Sequence, residues 1–181
     1  MSDQLRLDNI TRVFTVFDTD GDGEITWDDF DTKARAIGRE FDLDGESPEV
    51  QGLIEAYREV WEYICGADVD TDDVVVEAEF REAHTTGRLT TEELLEKWLV
   101  VTDRAFELVD RDGDGYLDEN EFAAMYRGAG VTDPQVAEIA FAAMDVDGDG
   151  RLDLPELRAQ VQGLFTATDE SEKGARLLVG D

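Results

Sequence analysis

The stretch VDRDGDGYLDENEF, residues 109–122, decides how this chain is read. Counting from Asp110, acids fall at positions 1, 3 and 5 (Asp110, Asp112, Asp114), Gly115 at 6, Leu117 at 8 and Glu121 at 12. Phe122 follows at once, and Phe106 lies four residues before the loop. The same pattern returns in FDTDGDGEITWDDF from Phe17 and MDVDGDGRLDLPEL from Met144, with Ile25 and Leu152 at position 8 and Phe14 and Phe141 upstream. A repeat this regular is one supersecondary unit used several times.

The flanks have helical periodicity. Leu7, Ile10, Val13, Phe14 and Phe17 recur at spacings of three and four. So do Leu94, Leu95, Trp98, Val101, Phe106 and Val109, and in 134–144 Val136, Ile139, Ala140 and Met144. Ser47-Pro48 and Asp133-Pro134 place a capping residue before Pro at the first helical position, and Thr90 with Glu93 fits a capping box. Thr26/Asp29, Asp118/Glu121 and Asp153/Glu156 have cap-to-N3 spacing for the exiting helices.

The loops start at 18, 110 and 145, leaving room for a further unit after the first. ADVDTDDVVVEAEF supplies it: Asp68, Asp70, Asp72 and Glu79 fall at positions 1, 3, 5 and 12, Val75 at 8, and Asp73 where Gly is expected. A helix before it is marked by Val50, Leu53, Ile54, Tyr57, Val60, Trp61 and Ile64. The predicted fold is all-α: four helix-loop-helix units in two paired lobes, 1–88 and 89–168, packed into one compact body. Position-8 residues should meet in short bridges, Ile25 with Val75 and Leu117 with Leu152.

Alternating Asp at 1, 3 and 5 curls carboxylates around one point, Gly at 6 permits a positive φ, position 7 offers its carbonyl, and Glu at 12 closes the shell with two oxygens. Six to eight hard oxygens suit Ca2+. Loops 3 and 4 match D-x-[DN]-x-[DN]-G-x5-E in full, which an acidic surface turn would not explain. Loop 1 ends in Asp29, one methylene shorter, which favours the smaller octahedral shell of Mg2+. In loop 2, Asp73 must enter a conformation costly for a non-glycine residue, and Val74-Val75-Val76 favours extended chain. Loop 2 is therefore read as a partner that holds loop 1 without metal, against a filled fourth site.

The chain has 181 residues, 46 Asp+Glu against 16 Lys+Arg and a formal net charge of −30. That field repels nucleic acid and anionic membranes. No apolar run approaches a membrane span and no signal peptide is visible, so a cytoplasmic location and a monomer are expected. His84, beside Thr85-Thr86-Gly87, reads as an exposed loop residue; Trp27, Trp61 and Trp98 as core or boundary residues; Cys65 as a buried or half-buried, unactivated thiol.

With these motifs in place, the chain resembles the calerythrin and sarcoplasmic calcium-binding protein family over nearly its whole length. The resemblance implies metal sites at Asp18, Asp20, Asp22, Glu24 and Asp29; at Asp110, Asp112, Asp114, Tyr116 and Glu121; and at Asp145, Asp147, Asp149, Arg151 and Glu156. Glu24, Tyr116 and Arg151 would act through their carbonyls. It also implies that the tail, 169–181, packs on an apolar cleft. Three Ca2+ sites and a buffering role are expected. The alternative is a sensor that opens toward an unknown target protein; only three Met residues argue for the closed reading. An enzyme is not expected, since no catalytic constellation accompanies the acids. In millimolar magnesium, a site-resolved calcium titration should show a weaker calcium preference at loop 1 than at loops 3 and 4; loop 1 as the tightest calcium site would refute the reading of Asp29.

Overall fold

The computed structural model describes residues 3–166, with side chains from Ile10 onward. Eight helices carry these residues: α1 (Asp3–Phe17), α2 (Trp27–Glu40), α3 (Pro48–Ile64), α4 (Glu77–Thr86), α5 (Thr91–Val109), α6 (Glu119–Gly128), α7 (Pro134–Met144) and α8 (Leu154–Thr166). Between them lie four two-residue strands, β1 (Glu24–Ile25), β2 (Val75–Val76), β3 (Tyr116–Leu117) and β4 (Leu152–Asp153). The tail segment 169–181 and its expected packing on a cleft lie outside the described residues.

Helix starts follow the predicted chemistry. The Ser47 hydroxyl accepts from the Val50 amide and Asp133 from that of Gln135, each just ahead of Pro at N1. Thr90 accepts from the Glu93 amide. Asp118/Glu121 closes as a reciprocal capping box, Glu156 and Asp153 exchange the equivalent pair of bonds, and in Thr26/Asp29 the Asp29 carboxylate accepts from both the Thr26 amide and its hydroxyl.

Each loop is joined to its neighbour by one antiparallel bridge. Ile25 faces Val75, and Leu117 faces Leu152, all four fully buried. The pairing of unit 1 with 2 and of 3 with 4 is thus fixed by the register of position 8.

The four units share one core. Phe17 of α1 meets Phe30 of α2 at 5.9 Å and Trp98 of α5 at 4.9 Å, and Tyr57 of α3 meets Trp98 at 5.6 Å. Phe165 of α8 reaches back to Phe17 at 6.4 Å. Edge-on and tilted aromatic contacts of this kind add to area burial. The predicted face of α3 is buried throughout, from Val50 to Ile64. On α7 the buried stripe is Ala137, Ala140, Phe141 and Met144, while Ile139 is 64% exposed. The periodic reading erred there because Ala137 carries the core position and Ile139 falls on the opposite side of the turn.

His84 is also corrected. It lies inside α4, is 4% exposed, and its Nδ1 sits 2.8 Å from the Phe80 carbonyl with its ring against Phe80. The helix runs past it because Gly87, at φ 77°, supplies the left-handed cap only after Thr86. Trp61 and Trp98 are buried and Trp27 packs half-buried on the core. Cys65, half-buried at the end of α3, has its thiol pushed up to about 11 by burial, reinforced by Asp68, Asp73 and Glu62, so it stays protonated at neutral pH.

The two lobes touch closely where α6 crosses α2. A Cβ at Gly128 would lie 2.5 Å from the Ile37 Cα and 2.9 Å from its amide nitrogen. Gly163 in α8 has nothing within 4 Å of such an atom. Gly128→Ala should therefore destabilise by roughly 1–3 kcal/mol through overpacking, and Gly163→Ala should stabilise by about 0.5–1 kcal/mol. Thermal melts of the two variants check both signs.

Candidate metal centres

Each loop turns its backbone amides onto its first carboxylate. Asp18 Oδ1 accepts from Gly21 N (2.9 Å) and Asp22 N (3.1 Å), and Oδ2 from Gly23 N (3.0 Å). Asp110 and Asp145 receive the same three bonds at 2.8–3.2 Å. These inward-pointing donors need positive φ at positions 4 and 6, which glycine supplies: Gly21 and Gly23, Gly113 and Gly115, Gly148 and Gly150.

The position-12 carboxylate straps the loop from the other side. Glu121 accepts from the amides of Arg111 (2.9 Å) and Asp118 (3.1 Å), and Glu156 from those of Val146 (3.0 Å) and Asp153 (3.1 Å). Carboxylate oxygens of Asp110, Asp112 and Glu121 lie within 4.8 Å of one another, as do those of Asp145, Asp147 and Glu156. Such a concentration of negative oxygen is the donor set of a hard divalent ion.

In loop 1 the converging group is Asp18, Asp20 and Asp22. Asp29, 7% exposed, accepts from Thr19 N (2.9 Å), Thr26 N (2.8 Å) and the Thr26 hydroxyl (3.1 Å). The shorter side chain thus reaches the same two strap positions and takes a third hydrogen bond besides. Burial raises the pKa of Asp18, offset by the Gly23 and Gly21 amides and reinforced by Asp29 and Asp22.

Loop 2 reproduces the arrangement without glycine. Asp68, Asp70 and Asp72 converge within 4.8 Å, Asp68 accepts from Thr71 N (2.7 Å) and Asp73 N (3.1 Å), and Glu79 straps Val69 and Val76. The neighbouring Asp72 charge, then burial, raises the pKa of Asp70. The left-handed positions fall to Thr71 (φ 61°) and Asp73 (φ 63°). Asp73 was legible in the sequence; Thr71 was missed, although aligning position 4 of the four loops shows Gly in the other three. A β-branched residue there is the more strained of the two.

A cavity of about 380 Å³ lies between the lobes, lined mainly by apolar groups of α1, α2, α3, α5, α6 and α8, among them Trp98, Met125 and Val161. The edge of loop 1, Asp18 to Gly21, borders it, as does Lys33. Lys33 Nζ lies 3.4 Å from the Val16 carbonyl, and burial lowers its pKa to about 8 against the pull of Asp29.

Paired helix-loop-helix units with four acidic loops of this geometry define a calcium-binding EF-hand protein. Models of the EF-hand domain pair match residues 101–162 and residues 1–30. Calerythrin of Saccharopolyspora erythraea is 28% identical over 147 residues, 76% of this chain and 80% of that protein. A calcium-binding protein of Streptomyces coelicolor, solved as the structural basis for prokaryotic calcium-mediated regulation, is 30% identical with a TM-score of 0.75, covering 88% of this chain and 96% of that one. The calcium-loaded apo form of coelenterazine-binding protein from Renilla muelleri shares the fold at 18% identity, TM-score 0.66, over 96% of each chain. The chain belongs to the calerythrin and sarcoplasmic calcium-binding protein family.

Replacing both strained residues, Thr71→Gly with Asp73→Gly, should raise unfolding stability by about 1–3 kcal/mol. Denaturant melts of this double variant in calcium check it, and no gain would show that loop 2 carries no backbone strain.

Proposed function

We propose that the protein is a cytoplasmic, monomeric calcium buffer. Ions would sit at loop 1 (Asp18, Asp20, Asp22, the Glu24 carbonyl, Asp29), loop 3 (Asp110, Asp112, Asp114, the Tyr116 carbonyl, Glu121) and loop 4 (Asp145, Asp147, Asp149, the Arg151 carbonyl, Glu156). Loop 1 would tolerate Mg2+ because Asp29 is short. Loop 2, with two strained residues where the others have glycine, would serve as the partner that holds loop 1 through the Ile25–Val75 bridge.

The observation that carries the buffering role is the shared core. The apolar faces that an opening lobe would show to a target helix are here spent on the other lobe, through Phe17, Phe30, Tyr57 and Trp98. Sensors expose Met-rich grooves on loading; this chain has Met125 and Met144 at the lobe interface, both bordering the cavity.

The second reading is a sensor. It is favoured by that cavity, whose wall includes the edge of loop 1, and by the calcium-mediated regulation ascribed to the Streptomyces relative. In that case loading loop 1 would shift the wall and expose apolar surface to a target protein.

Hydrophobic-dye fluorescence across a calcium titration, with magnesium present throughout, separates the two. Fluorescence that stays low or falls as calcium loads is expected for the buffer. A rise that saturates with ion binding would replace it with the sensor.

A further inference from the structure

Arg151 serves two loops at once. Its position in loop 4 makes its carbonyl a candidate ion ligand there, and its amide donates to Asp149 Oδ1 at 2.9 Å. Its side chain crosses to loop 3: Nη1 donates to Asp114 Oδ2 at 2.8 Å, and the guanidinium lies 5.4 Å from the centre of the Tyr116 ring. Asp114 Oδ1 is already taken by the Tyr116 amide at 2.9 Å. The Asp114 carboxylate thus carries a backbone bond on Oδ1 and the Arg151 guanidinium on Oδ2.

Among the described residues, no other ion pair engages a position-1, -3, -5 or -12 carboxylate of the four loops. The N-terminal lobe has no equivalent, since its position-7 residues are Glu24 and Val74. The side chains of Arg151 and Asp114 are 53% and 38% exposed, so this pair adds little to fold stability. A positive charge on a ligand oxygen nevertheless opposes a divalent cation at that oxygen.

We propose that Arg151 is a tethered counter-cation of loop 3, which holds Asp114 Oδ2 when no ion is bound and so lowers the affinity of loop 3 relative to loop 4. The inference rests on the ion sites proposed above. Loop 4 fills first, because its own ligand oxygens carry no such competitor. Loop 3 fills when the guanidinium yields or shares Asp114 Oδ2.

The test is a calcium titration of the full chain followed by 1H–15N NMR at the Gly115 and Gly150 amides, each of which donates to the first carboxylate of its own loop at 3.0 Å. In the unaltered protein Gly150 should saturate before Gly115. Arg151→Gln keeps the loop 4 carbonyl and should tighten loop 3 by about three- to tenfold, a larger gain than at loop 4, so that the interval between the Gly150 and Gly115 saturation points narrows. Arg151→Lys keeps the charge and should stay nearer the parent than Arg151→Gln does. The gain should shrink in about 0.5 M KCl, where the Debye length is only a few ångströms. Loop 3 unchanged in Arg151→Gln would overturn the proposal, and loop 3 weakened would overturn it by showing that Arg151 positions Asp114 for the ion. If neither amide responds to calcium in any form, the ion sites themselves fail and the proposal falls with them.

Discussion

Carboxylates held within 4.8 Å of one another repel, and every loop of this protein must withstand that repulsion before any ion arrives. What makes it tolerable is the set of backbone amides aimed at the first Asp of each loop, together with the amides strapped by the position-12 residue. These donors supply partial positive charge at fixed positions, the same service that a bound cation performs more completely. The turn that aims them requires left-handed backbone at positions 4 and 6, and so the glycines of loops 1, 3 and 4 follow from the electrostatics.

The loops in turn set the helices. Position 8 of each loop is drawn into a bridge with its partner, and the entering and exiting helices diverge from that point. Their apolar stripes cannot be covered within one unit, so the second unit of the lobe and then the other lobe complete the burial. The aromatic chain from Phe30 through Tyr57 to Trp98 and Phe17 is where the two lobes become one core. Gly128 against the Ile37 backbone shows how little slack the contact between α6 and α2 holds.

The four loops are not equivalent, and their differences are chemical. Asp29 shortens the strap of loop 1 and engages an additional hydroxyl. Thr71 and Asp73 put loop 2 in the required turn at a conformational cost. Loops 3 and 4 match the acidic motif in full, yet Arg151 links them in one direction only. A protein with net charge −30 places a guanidinium on Asp114, where it acts on ion binding more than on folding.

The sequence alone determined the helix-loop-helix units, their helix starts and the bridge partners, because each depends on residue type at fixed local spacing. Asp at 1, 3 and 5 needs no distant contact to be recognised, and Ser47-Pro48 caps a helix wherever it occurs. Ile139 and His84 were misplaced because local periodicity does not say which side of a helix finds neighbours; Ala137 and Phe80 settled that. Thr71 was available in the sequence once the loop columns were aligned, but its positive φ is a property of the folded turn. Only the tertiary structure decided that Arg151 reaches Asp114, thirty-seven positions away, that Lys33 faces the cavity, and that Phe17 and Tyr57 are the residues that meet Trp98 across the lobes. The physical reason is that these are contacts between surfaces brought together by packing, and no spacing along the chain encodes their distance.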